Sequence, residues 1–172
     1  MTGDTIVNPR TGQTMIFRQT AADTGGELLR IECLHEPGGG REPVHTHPAQ
    51  TSRFEVLAGR LGFSVDGTES FAGPGEVVSI PPRVRHAFWV AGDERAHYVQ
   101  EFRPALDSER FFRTLFALAE AGKLDDSGMP TTLALPRLVG SMGQAIRPVS
   151  PPWPLLRVLA WALSPLARVR GA

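Results

Sequence analysis

Between residues 14 and 103, apolar and polar positions alternate in short runs broken by turn-forming residues. "LLRIECLH" (28–35) has strand composition, and "EPGGGREP" stops it. "RFEVL" runs to Ala58-Gly59. "RLGFSVDG" sets Leu61, Phe63 and Val65 on one face at period two, and Asp66-Gly67 predicts a tight hairpin turn. Pro74-Gly75, Pro81-Pro82 and Ala91-Gly92-Asp93 separate the further runs "VVSI", "HAFWV" and "AHYVQEF". Many short strands at this spacing predict a β-sandwich or barrel.

After Pro104 the period changes. Phe111, Leu115 and Leu118, with Phe112, Phe116 and Ala119 alongside, follow the 3.6-residue repeat of an amphipathic helix. Asp107 is a candidate N-cap and Gly122-Lys123 a stop. Residues 130–148 are apolar enough for a helix but contain Pro136. "PPWPLLRVLAWALSPLARV" predicts a last helix starting near Pro154. Its polar stripe (Arg157, Ser164, Arg168) is narrow, so most of its circumference needs cover. The chain thus divides into a β unit over 1–103 and a helical extension over 104–172. The extension either packs on the barrel or forms a dimer contact. A membrane surface ranks third: Trp153 and Trp161 accompany Arg157, Arg168 and Arg170, but the arginines are few and the apolar arc nearly closes.

Composition narrows the partners. The 172 residues carry zero formal net charge. No basic run or zinc-finger spacing occurs, which argues against nucleic acid. Cys33 is alone, so no internal disulfide forms, in keeping with a reducing cytoplasm. "MTGDTIVNPR" has no apolar leader segment. The longest apolar stretch, Leu155 to Val169, is interrupted by Arg157, Pro165 and Arg168 and is too short to span a bilayer.

The chemistry concentrates in "HTHPAQTSRFEVLAG" (45–59). A strand places i and i+2 on one face, so His45 and His47 aim at one spot, and Pro48 favours an extended backbone at His47. Neutral imidazole is a ligand for several transition metals. The spacing of Gly39, His45, His47 and Gly59 resembles the first motif of the cupin superfamily. Gly75, Pro81 and His86 resemble the second. With "RFEVLAGRLGFSVDG" and "PPRVRHAFWVAGDERA", the chain is similar to small bacterial single-domain cupins with a C-terminal helical tail. The resemblance implies a mainly-β, cupin-type double-stranded β-helix (a jelly-roll barrel), a small-molecule ligand and a homodimer. Three positions depart from the pattern. Ser52 stands where the family's acidic metal ligand sits, and Thr51 is no substitute. Arg83 takes a glycine position and Val90 an asparagine position.

A three-histidine set remains: His45, His47 and His86, able to hold Fe, Mn, Ni or Zn. With three neutral ligands the ion would keep its full +2 charge and favour anionic or chelating substrates. Gln50 could swing in as an oxygen ligand, and Ser52 could anchor a water. Glu55 points to the opposite strand face. Phe54, Val56, Leu61, Phe63, Phe88 and Val90 are the inward-facing pocket candidates. His35 and His97 fall outside the motifs, as surface or pocket-wall residues, and only one of His97 and Tyr98 can face inward. These residues leave two main readings open. One is a metal-dependent oxygenase (hence an oxidoreductase) or isomerase acting on a small, partly apolar metabolite, with no evident general base. The other is a metal-free, non-catalytic cupin that binds or senses a small ligand. An interaction protein working through the tail is a third.

Overall fold

The computed structural model describes residues 2–125 and 128–169, the last two as backbone only; Arg170, one of the tail arginines above, lies outside them. Strands β1 (Thr5–Asn8), β2 (Gln13–Gln19), β3 (Leu29–His35), β4 (His45–Thr46), β5 (Thr51–Ala58), β6 (Leu61–Val65), β7 (Thr68–Ala72), β8 (Val77–Ile80), β9 (His86–Val90), β10 (Ala96–Arg103) and β11 (Arg147–Pro148) form two antiparallel sheets. One runs β1-β2-β3-β10-β5-β8, the other β11-β4-β9-β6-β7.

The period-two pattern decides which side chains enter the space between the sheets. In β3, Leu29, Ile31, Cys33 and His35 are buried while the residues between them are half-buried. In β5, Ser52, Phe54 and Val56 point inward, opposite Phe102, Gln100 and Tyr98 of β10. Asp66 and Gly67 both adopt positive φ, 47° and 85°, and close the β6–β7 hairpin on the Val65–Thr68 pair. Gly62 of β6 is fixed by space: a Cβ there would lie 2.3 Å from the indole of Trp89, its partner in β9.

The helices are α1 (Ser108–Glu120), α2 (Leu135–Met142) and α3 (Trp153–Val169). α1 buries Phe111, Phe116, Leu118 and Ala119. Asp107 occupies its N-cap position but makes no side-chain capping bond; the carboxylate instead accepts from the backbone N–H of Gln144, at 2.9 Å. Gly122, with φ of 65°, ends the helix. Pro136 lies in the first turn of α2, where its missing N–H costs nothing, so it starts that helix rather than breaking it. α3 contains Pro165 and turns Leu156 and Ala160 onto Val139 of α2. The tail also supplies β11, which pairs with β4 through Arg147↔Thr46 and Pro148↔His45. Among the described residues, no helix is long and apolar enough to cross a membrane.

Candidate metal centre

His45 starts β4, His47 follows it directly, and His86 starts β9, where it pairs with His45. The strand register therefore brings together residues about forty positions apart. All three are buried, and one nitrogen from each lies within 4.8 Å of the others. The rings of His45 and His86 are 4.3 Å apart, those of His45 and His47 5.1 Å, and those of His47 and His86 5.2 Å.

The hydrogen bonds fix the tautomers. His45 Nδ1 lies 3.0 Å from the Pro43 carbonyl, His47 Nδ1 2.7 Å from the Ala145 carbonyl, and His86 Nδ1 2.9 Å from the Val84 carbonyl. A carbonyl only accepts, so each Nδ1 carries the proton and donates. Each Nε2 is left with a free lone pair, the arrangement found in histidine metal ligands oriented from behind. Burial also keeps the rings neutral. It lowers His47 to about 4. It lowers His45 well below the usual histidine range, reinforced by His86 and His47, and lowers His86 as well. Three neutral imidazoles whose Nδ1 atoms are taken up by carbonyls, with one nitrogen of each within 4.8 Å of the others, fit a divalent transition-metal ion.

Gln50 is fully buried beside this trio. Its Nε2 lies 2.8 Å from the Pro104 carbonyl, 2.9 Å from the Ala105 carbonyl and 2.8 Å from Ser108 Oγ. Those acceptors hold the amide nitrogen, and the amide oxygen accepts from Ser108 Oγ at 3.2 Å; the neighbouring Gln50 side chain partly offsets the effect of burial on His47. Ser52 sits on the same inward face, its Oγ 3.4 Å from Gln100 Nε2. Glu55 points outward and accepts from Arg53. Arg83, in the glycine position of the second motif, does adopt a left-handed φ of 68°, and its N–H donates to the His47 carbonyl.

His45 and His47 form part of the wall of a cavity of about 230 Å³. This is below the roughly 300–1,000 Å³ of drug-sized sites, so the space suits a small metabolite. Of the six apolar candidates, Phe88 lines it. Phe54, Val56, Leu61 and Phe63 are fully buried and fill the barrel core, and Val90 packs at its edge. Much of the apolar wall comes instead from the tail, through Phe111, Leu115, Leu138, Met142 and Leu156.

Most of a polar wall escaped the sequence reading, which offered, of its residues, only His35 as a surface or pocket-wall residue. Gln13, His35, Glu42 and Gln100 line the cavity. Gln13 Nε2 donates to the inward-facing hydroxyl of Tyr98, at 2.8 Å. His97, on the other face, bonds Glu32. Burial lowers His35 to about 4, and its Nδ1 and Gln100 Oε1 have no hydrogen-bond partner among the described residues. The apolar surroundings raise the Glu42 carboxyl to about 8. Glu42 stands three residues before His45, in a Gly- and Pro-rich stretch that reads only as a turn. Cys33 is buried and its thiol is pushed up, out of reactive range.

The two-sheet barrel and the motif spacing define a class. Residues 32–100 match the Cupin domain family, and the chain carries a cupin domain. KdgF from Halomonas sp. is similar in fold: 19% identity over 62% of this chain and 92% of its own, TM-score 0.52. Pac13 of Streptomyces, described as a unique nucleoside dehydratase, superposes at TM-score 0.50 with 14% identity, over 63% of this chain and 83% of its own. No curated protein matches the chain.

Proposed function

We propose that this cupin binds a divalent transition metal through His45, His47 and His86 and acts on a small, partly apolar metabolite as an oxygenase or isomerase. The observation that carries the reading is the backbone clamp on all three Nδ1 atoms of three buried, neutral imidazoles, one nitrogen of each lying within 4.8 Å of the others. The bound ion would supply Lewis acidity, or redox chemistry if it is iron. Gln50 is the candidate fourth ligand, because its amide is fully buried against His47 and its nitrogen is already tied to the Pro104 and Ala105 carbonyls. It would replace the carboxylate missing at Ser52 while leaving the ion at +2, which favours an anionic or chelating substrate. The tail residues hold the apolar part of that substrate. Glu42 supplies the acid–base group: a carboxyl near 8 exchanges a proton at neutral pH, as general acid–base chemistry requires.

Metal content of untagged protein, measured for the native chain, His47→Ala and Gln50→Leu, tests this. We expect stoichiometric metal in the native chain, none in His47→Ala, and a loss of about 10- to 100-fold in affinity in Gln50→Leu. No metal in the native chain, even after incubation with Zn, Mn, Ni and Fe(II), would leave the barrel as a metal-free ligand cup.

A further inference from the structure

α3 is apolar on both faces. Its inner face is accounted for by Val139 of α2 and by the cavity. Its outer face is not covered by the described residues of this chain. Trp161 is 79% exposed, Val158 62%, Leu166 55%, Leu155 49% and Leu159 41%. At about 100° per residue, positions 161, 158, 162, 155, 166 and 159 follow one another along a single arc of about 160°, opposite the buried Leu156, Ala160 and Ala167. A helix apolar all round needs cover on both sides.

The charge of the tail says what the cover is. Residues 127–172 contain five arginines and no Asp or Glu, so the zero net charge of the chain divides into +5 here and −5 before it. Arg137 and Arg157 are exposed, and the Arg147 guanidinium lies 4.1 Å over the Trp153 ring. A second copy seated on the same face would bring another acid-free, cationic tail against this one. The face is also small for a stable dimer. A 17-residue helix about 25 Å long and about 10 Å wide offers roughly 250 Å² of footprint, against about 800 Å² per partner in standard interfaces. Neither objection applies to an anionic bilayer, which takes a single helix face and supplies the missing negative charge.

We propose that the outer face of α3 docks on an anionic lipid surface, with Leu155, Val158, Leu159, Trp161 and Leu166 in the headgroup boundary and Arg157, at the edge of that face beside Trp161, toward the lipid phosphates. Because Leu156 of the same helix faces the cavity, docking sets the barrel close to the bilayer.

Flotation of the full chain with vesicles tests this, using phosphatidylcholine alone and phosphatidylcholine with about one third phosphatidylglycerol. We expect binding to the anionic vesicles, about tenfold weaker on neutral ones and weakened by raising NaCl from about 0.1 to about 0.5 M. The double variant Leu159→Glu/Trp161→Glu should lose binding at least about tenfold with its circular dichroism unchanged, since both side chains are exposed. Arg157→Glu should weaken anionic binding without changing the neutral baseline. Equal binding to both vesicles, or no binding, would overturn the proposal. So would a dimer in lipid-free buffer that the double variant dissociates, because a second copy would then be the cover.

Discussion

Acidifying the metal-free chain should unfold it well above the pH at which carboxylates alone would do so. Four of its histidines are buried and held neutral: His35, His45, His47 and His86. In each case the folded value lies below the unfolded one, so the unfolded chain takes up protons first. The stability these rings contribute is complete above about 6.5 and is lost as pH falls toward 4. For His35 and His47, each lowered from 6.5 to about 4, linkage gives a loss of about 2 kcal/mol apiece at about pH 5. His45 and His86 add to that. Since domains hold only about 5–15 kcal/mol in total, losing upwards of about 4 kcal/mol by about pH 5 is a large fraction. Glu42 works in the opposite sense. Its folded value is raised to about 8 from 4.5, so the unfolded chain gives up its proton first and stability declines as pH rises toward 8. The two effects together place maximal stability at about pH 7. Urea denaturation of chelator-treated protein across about pH 4.5–8.5 measures the curve. His35→Gln removes one titrating ring outside the metal trio, and should flatten the slope between about pH 6 and 5 by up to about 1.4 kcal/mol per pH unit. Equal stability at pH 7 and 5, or an unchanged slope in His35→Gln, would refute the neutral-imidazole account.

Other expectations follow from single contacts. Arg83→Gly should leave stability unchanged or raise it by up to about 1 kcal/mol, because glycine removes the left-handed strain at φ 68°; thermal denaturation reads this. Gly62→Val should cost about 1–3 kcal/mol in the same assay, because the Trp89 indole fills the space a side chain would need. Asp107→Ala frees the Gln144 N–H and loosens the segment that presents the Ala145 carbonyl to His47. Zn affinity by competition with a chromogenic chelator should fall several-fold, while α1, which Asp107 does not cap with its side chain, keeps its helicity. Glu42→Gln should leave metal affinity near the native value while abolishing the basic limb, near pH 8, of any turnover profile.

The strands were legible because alternation and turn chemistry are local. Asp66-Gly67 announces its hairpin whatever surrounds it, and Ser52, Phe54 and Val56 share a face by spacing alone. The histidine trio was legible because one stretch of nine residues and one later position encode it. Depth was not: period two says that Phe54 and Phe63 face inward, but not that they end in the core while Phe88 reaches the cavity. Nor does any local pattern link Ala145 to His47, 98 residues apart. Most of the polar wall went unread for a similar reason. Glu42 lies in a connection and Gln13 and Gln100 on different strands, so only the closed barrel makes them neighbours.

The clamp on the three imidazoles comes from peptide oxygens of Pro43, Val84 and Ala145 rather than from carboxylate or hydroxyl side chains. Amino-acid exchange at those three positions leaves the accepting atoms in place as long as the chain path holds. The cavity can therefore drift in shape and selectivity over evolution, or be redesigned, without rotating the rings that define its centre.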